Sequence, residues 1–317
     1  MNAVYPSGRQ FDIECWPYRA SITEVGGGLR SLAFGSLHII DGFDRRSPVT
    51  GSRGQILAPW PNRLYRGKWN WNNAELQLPV DDPVGENASH GLVRRSAWIA
   101  DIAKSDRVRL RHRLKPQPGF PFTLDFSVTY SVSLSGLTVE LEATNPTSIA
   151  TPVALGMHPY LRPLGQSPID ECMLSVPAQH RLLTDAGGRP TTLEPVNGTA
   201  YDFREPHMLG ALSIDSAFAN LDSGENRRVV TTVTDAAGEV RMWADPSTKY
   251  IQIFTGDTLS PGARRRGIAI EPMTAPANAL ASGLDLAVLE RGESLGLRWG
   301  LSAHPASEDT ASSMSHI

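Results

Sequence analysis

The run from Leu124 to Ala143 constrains the fold more than any other part of the chain. Leu124, Phe126, Val128, Tyr130, Val132 and Leu134 alternate with polar residues, Ser135-Gly136 supplies a turn, and Leu137, Val139, Leu141 and Ala143 alternate back against Thr138, Glu140 and Glu142. A period of two sends neighbouring side chains to opposite faces, so the segment predicts an antiparallel hairpin with one buried face. A hairpin is stable only when further strands cover it. The sequence offers several: Leu29 to Phe34, Val229 to Thr234, Val240 to Trp243, Tyr250 to Phe254, Leu284 to Leu289 and Leu295 to Trp299. Arg107 to Leu114 also alternates, with Val108, Leu110 and Leu114 on one face and four arginines on the other. Those arginines read as a solvated sheet face sooner than as an anion site. No window of helical length keeps a 3.6-residue period, and neither a repeat nor a linker divides the chain. The expectation is one all-β domain over residues 1–301, followed by a polar, serine-rich tail at 302–317 expected to be disordered.

Composition narrows the ligand. A net charge of -3 argues against a nucleic-acid partner held by electrostatics, and no apolar run approaches the ~20 residues that cross a bilayer. With Arg9, Asp12 and Glu14 early in the chain there is no signal-peptide core, so the expected location is cytoplasmic and the expected partner a small molecule, with no nucleic acid and no membrane. Cys15 and Cys172 exclude a disulfide framework and a cysteine zinc site, though they leave a single bridge open. The chain has no Gly-x-Ser-x-Gly elbow, no dinucleotide or Walker spacing after Gly26-Gly27-Gly28, and no HExxH. His90, His158 and Glu271 remain conceivable metal ligands only if distant strands bring them together.

What is left is acid and base work. Ile268 to Ile270 reads as a short apolar strand with Glu271 at its end, before Pro272 and Pro276 interrupt regular pairing. Burial there would raise the carboxyl pKa toward the range of a general base. Taken alone, Glu271 reads first as an ordinary solvated carboxylate. His158 also follows an apolar strand and precedes Pro159, which places its imidazole at a sheet end as a candidate proton donor or as a satisfied core histidine. The loop Ala58-Pro59-Trp60-Pro61-Asn62-Arg63-Leu64 groups an aromatic ring with the planar donors of Asn62 and Arg63, a mixture suited to a sugar. Read alone, Arg63 is equally a partner for a surface acid, His90 a structural histidine where loop passes into strand, and Asp215 a turn or capping residue.

Ala58-Pro-Trp-Pro-Asn-Arg63, His90-Gly91-Leu92, Gly156-Met-His158-Pro-Tyr160 and Ile270-Glu271-Pro-Met-Thr-Ala-Pro-Ala-Asn278-Ala279, in that order, resemble the aldose 1-epimerase (galactose mutarotase) family from about Ala20 to Trp299. The resemblance implies a large antiparallel β-sandwich, the galactose mutarotase-like supersandwich, with a sugar in its cleft. It implies Glu271 as general base, His158 as general acid, and Arg63, His90 and Asp215 as sugar-binding residues, with Asn62 beside Arg63. The match at Asp215 is looser, because the family's segment there is short and variable. No cofactor and no metal are implied. The reading is then an isomerase that interconverts the α and β anomers of a hexose. Arg66, Arg94, Arg95, Arg162 and Arg264 to Arg266 motivate an alternative, a mutarotase for a hexose 6-phosphate or sulfonated hexose. A non-catalytic sugar-binding protein is a third reading, against which the retention of both Glu271 and His158 counts.

Overall fold

The computed structural model describes residues 5–82 and 85–306. Leu124–Ser133 and Gly136–Thr144 pair in the expected register, from Asp125 opposite Thr144 to Ser133 opposite Gly136. Leu134 lies in the turn and is 78% exposed, so the buried face ends at Val132 and not at Leu134. The hairpin supplies the third and fourth strands of a nine-stranded sheet. On one side it continues through Arg107–Leu114 to Ile99–Ala103, and on the other through Ser294–Pro305, Gly238–Ala244, Val229–Asp235 and Met173–Ser175 to His207–Met208. Cys15 and Cys172 are both free, which settles the open question of a bridge.

An eight-stranded sheet faces the second half of this layer. Its order is Pro190–Pro195, Ala178–Thr184, Asp215–Leu221, Tyr250–Phe254, Ile268–Met273, Gly156–Met157 and Ile56–Leu57, with Tyr160–Leu161 pairing a second stretch of Ile268–Met273. The apolar faces of the two sheets share one core. Leu297, Trp299, Val240 and Met242 contribute from the first and Phe218, Ile251, Ile253, Ile268 and Ile270 from the second. The Trp299 Nε1–H donates to Met157 Sδ at 3.2 Å across the layers. A four-stranded sheet, Gln10–Cys15, Tyr18–Thr23, Leu29–Phe34 and Leu37–His38, covers the first half of the nine-stranded layer. The Tyr130 hydroxyl reaches the Gly27 carbonyl at 2.6 Å there. Every strand pair in the large sheets is antiparallel, and among the described residues the longest helix is the four-residue turn Ala279–Ser282.

Three expectations change. Ser302–Pro305 belongs to the last strand, paired with Gly238–Arg241, so the domain extends past 301, and 307–317 lies outside the described residues. Pro272 does not end the ladder: Ile268–Met273 is one strand, with Pro272 opposite Ile251 and Met273 opposite Tyr250. The Ile270 N–H points away from that neighbour, to the Pro159 carbonyl at 3.1 Å. N–H groups two residues apart on a strand point the same way, so the donor Pro272 lacks would face the same side, where the adjacent strand is interrupted. His158 is likewise not at a sheet end. His158-Pro159 is a gap between two strands that both pair with Ile268–Met273.

The loop Ala58–Leu64 is clamped to the segment after Ser89 by close backbone approach. Gly91 has φ +73°, and a Cβ built there would lie 1.9 Å from the Ala58 carbonyl oxygen. Only glycine meets both conditions. Gly91→Ala is therefore expected to cost on the order of 2 kcal/mol or more, read as a lower midpoint in denaturant unfolding. A midpoint equal to wild type would show that this contact does not constrain the loop.

Candidate active site

Strand register brings the acid–base candidates together. Gly156 pairs Met273 and Tyr160 pairs Ala269, so continuing the register through the gap sets His158 directly opposite Glu271. On the other flank Gln252 is opposite Glu271, and Asp215 is opposite Phe254. Alternation completes the placement. Ile251, Ile253, Ile268, Ile270 and Phe218 point into the core, so Gln252, Glu271 and Asp215 point out of the opposite face. The outcome is a row of polar side chains across adjacent strands of one sheet.

The row is tightly connected. The His158 Nε2 lies 3.1 Å from Glu271 Oε1, with both side chains nearly inaccessible. The Gln252 Nε2–H donates to Asp215 Oδ1 at 2.6 Å, and the Arg63 Nη2–H donates to Asp215 Oδ2 at 3.0 Å. Arg63 and Asp215 are about half-exposed at the cavity mouth. The His90 ring stands edge-on to that of His158, with centroids 5.4 Å apart. These residues, with Asn62, Gly51, Ser52, Tyr160, Phe254, Thr258 and Leu259, line a cavity of about 200 Å³. That is roughly the liquid volume of seven waters, the scale of a monosaccharide.

Local conformation explains how the loops present these groups. Asn62 and His90 both adopt left-handed backbone, with φ +57° and +60°. The Asn62 carbonyl accepts from the His90 N–H at 2.9 Å, and the Asn62 Oδ1 accepts from the Arg63 N–H at 2.8 Å. Asn62 thus ties the two loops while lining the cavity. Asn278, carried by the longest motif, braces the same region. Its N–H donates to the Arg63 carbonyl at 2.6 Å and its Oδ1 accepts from the Tyr65 N–H at 3.1 Å.

Burial sets the protonation states. It drives the Glu271 carboxyl pKa well above its usual value; the negative charge of Asp215 adds to this and Arg63 opposes it. Burial also lowers His158 to about 3, assisted by the positive charges of Arg53, Arg94 and Arg63. His90 moves in the same direction for the same reason, with His158 and Arg94 next in weight. Taking an ion out of water costs several kcal/mol, more than the ~1.5–3 kcal/mol a charge-assisted hydrogen bond returns. Both shifts favour the uncharged forms, a protonated Glu271 beside an uncharged His158, with one transferable proton between them. Burial works against the charge on Arg63, yet Asp215, by its charge and its hydrogen bond, and Asp82 hold its pKa above the usual value.

Besides Trp71 Nε1, Asn87 Oδ1, Thr231 Oγ1 and Thr248 Oγ1 elsewhere, the described residues leave Glu271 Oε2, His158 Nδ1 and His90 Nδ1 buried with no hydrogen-bond partner. Buried polar atoms are ordinarily satisfied, so the last three, all on cavity-lining residues, mark the place where a polar ligand fits. A larger cavity of about 730 Å³ lies over Arg107–Leu114. Its arginines already have partners: Arg109 and Arg111 share Asp101, and Arg113 pairs with Asp125, as on a solvated face. Among the described residues no cluster of three or more His, Cys, Asp or Glu could hold a metal ion.

All six sequence candidates, Glu271, His158, Arg63, His90, Asp215 and Asn62, line the one cavity. Gln252 was missed. A glutamine in the middle of the apolar strand Tyr250–Phe254 was its available signal. Arg66, Arg94, Arg95, Arg162 and Arg264 to Arg266 all lie outside the lining. Several have other partners: Arg66 with Glu86, Arg94 with Asp81, and Arg265 with Asp170 and Asp257.

Comparisons with known proteins give likenesses of sequence and of fold. A family model described as aldose 1-epimerase matches residues 17–302. The uncharacterised protein YihR of Escherichia coli K12 is 31% identical over 291 residues, covering 92% of each chain. The galactose mutarotase of Homo sapiens is 26% identical over 245 residues, 74% of this chain and 70% of the human one. Among solved structures, the GalM/aldose epimerase homologue from C. elegans superposes with a TM-score of 0.83 at 19% identity, over 94% of this chain and 99% of that one. The galactose 1-epimerase of Lactobacillus acidophilus NCFM gives 0.76 at 19%, over 92% and 93%. These two likenesses establish the fold.

The resting protonation state is open to direct test. With His158 lowered to about 3, its imidazole resonances should not titrate between about pH 5 and pH 8 in histidine NMR. A midpoint near the ordinary ~6.5 would contradict the uncharged, buried assignment.

Proposed function

The chain belongs to the aldose 1-epimerase family, and from that premise we propose that it interconverts the α and β anomers of a free hexose by opening and reclosing the sugar ring. The observation that carries this reading is the Glu271–His158 pair, 3.1 Å apart and buried on the wall of a monosaccharide-sized cavity.

Ring opening removes one proton from the C1 hydroxyl and delivers one to the ring oxygen. The pair has one proton to exchange and two sites to hold it. Transfer from Glu271 to His158 Nε2 leaves a carboxylate beside an imidazolium at no net change of charge. The carboxylate takes the C1 hydroxyl proton, the electron pair on that oxygen forms the C1 carbonyl, and the bond from C1 to the ring oxygen breaks. His158 protonates the released oxygen. The pair is then uncharged again, which is the state that burial favours while the open-chain aldehyde is held. Rotation about the C1–C2 bond presents the other carbonyl face, and the same transfers run backward to close the ring as the other anomer.

The remaining residues fit supporting roles. Arg63, fixed by Asp215, and His90 offer donors to sugar oxygens on which charge develops. Asp215, fixed by Gln252, and Asn62 offer hydrogen bonds to hydroxyls. Phe254 supplies an apolar surface for the C–H side of a sugar ring. Arg63, the single arginine or lysine of the lining, is already paired. This favours an uncharged hexose over a phosphorylated or sulfonated one. A non-catalytic binding protein has no need of a buried acid–base pair that leaves orphaned polar atoms facing its ligand.

Anomer exchange followed by NMR on neutral, phosphorylated and sulfonated hexoses, with the spontaneous rate subtracted, tests the reading. Exchange should exceed the buffer rate on a neutral hexose, and Glu271→Gln should lose about 10²–10⁴-fold with sugar binding largely kept. An unchanged rate in Glu271→Gln removes it from the role of base. A wild-type rate equal to buffer on the whole panel removes the enzyme reading.

A further inference from the structure

One buried ion pair lies behind the site without touching the cavity's acid–base pair. Asp41 and Arg53 are 2% and 4% exposed. The Arg53 Nε–H and Nη2–H both donate to Asp41 Oδ2, at 3.1 and 3.0 Å, and its Nη1–H donates to the Thr50 carbonyl at 3.0 Å. Arg266, from the loop after Phe254, closes on the other oxygen, Asp41 Oδ1, at 3.0 Å. A carboxylate held by two guanidinium groups is rigidly placed.

The guanidinium of Arg53 lies over the ring of Tyr160, 4.8 Å from its centroid. Tyr160 is in turn stacked on His158, with centroids 5.0 Å apart and planes inclined by 15°. Tyr160 is fixed at two further points: its hydroxyl donates to the Gly51 carbonyl at 2.9 Å, and its own carbonyl accepts from the Asp41 N–H at 2.8 Å. Arg53, Tyr160 and His158 therefore form one stacked series, anchored at its far end on Asp41. A well-packed apolar pair is often as stable as a buried ion pair. A positional role accounts for charges here better than stability does.

We propose that Arg53, held by Asp41, is a positioning residue for the reaction: it fixes the plane of Tyr160 and, through it, the imidazole of His158 against Glu271. The imidazole alternates between uncharged and charged forms during turnover. A ring free to tilt would lengthen the path of the proton to Glu271 and to the sugar's ring oxygen. Arg53 touches neither substrate nor reacting atoms. Its planar fork matters as well as its charge, because a lysine has no flat face to stack on the tyrosine. Arg266 gains a place in the same account as the outer brace on Asp41.

The catalytic part rests on the mutarotase reading, whereas the geometric part does not. Arg53→Met, Arg53→Lys and Asp41→Asn are compared with wild type by anomer-exchange kinetics and by the NMR resonances of the His158 ring, whose shifts report stacking on Tyr160. Arg53→Met is expected to lower kcat by about tenfold to a hundredfold with KM within about twofold, and to move the His158 signals. Arg53→Lys, which keeps the charge, is expected to show the same split in folded protein, so it decides the matter if the methionine variant does not fold. Folded Arg53→Lys with unmoved His158 signals, or with unchanged kcat, overturns the proposal. So does a rise in KM at constant kcat, since that places Arg53 in sugar binding. If wild type exchanges no hexose, the mutarotase reading fails, while the His158 resonances still decide whether Arg53 holds the ring.

Discussion

The contact on which the rest of the site depends is the one between His158 and Glu271 across an interrupted strand. Two ionisable side chains are held 3.1 Å apart, almost without access to water, on a sheet whose other face is the hydrophobic core. Water would separate and solvate such a pair. Here desolvation pushes the carboxyl up and the imidazole down, and both shifts favour an uncharged pair with one proton between the two. The cost of that arrangement is carried by the sheet, whose register leaves the pair no other place to go.

The gap in the strand is what makes the contact chemical as well as structural. Continuous pairing through residues 156–161 would keep the backbone between Met157 and Tyr160 in the ladder. Instead Pro159 falls opposite Ile270 and Pro272 opposite Met157, so the break is flanked on both strands by a residue lacking an N–H. The surrounding loops then close the space to a cavity of about 200 Å³. Arg63, Asp215 and Gln252 form a hydrogen-bonded chain along one wall, and the series His158, Tyr160, Arg53 and Asp41 runs into the protein along another. The strands on either side of Glu271 contribute Gln252 to the first wall and the His158–Tyr160 stretch to the second.

Much of this was legible in the sequence. The alternation of Leu124 to Ala143 gave the hairpin because a half-buried strand must repeat with period two. The ordered motifs pointed to Glu271, His158, Arg63, His90, Asp215 and Asn62, which the fold collects in one cavity. What the residues alone could not convey was register. His158 and Glu271 each looked like a strand-end residue beside a proline. Only the pairing of Gly156 with Met273 and Tyr160 with Ala269 shows them opposite one another in mid-sheet. Gln252 and Arg53 escaped notice for the same reason: their roles depend on neighbours distant in sequence, and a lone glutamine or arginine has no period. Arg264 to Arg266 looked like a cluster, yet Arg265 and Arg266 point to different carboxylates, which no linear pattern records.

On the mutarotase reading, Glu271 and His158 act as one proton-exchanging unit. A double-mutant cycle on the rate of hexose anomer exchange tests it most directly, with Glu271→Gln, His158→Asn and the double variant measured at one pH. Residues that share one proton fail together, so the double variant should be about as slow as the slower single variant. Losses that multiply in the double variant would mean that the two side chains work independently, and would contradict the account.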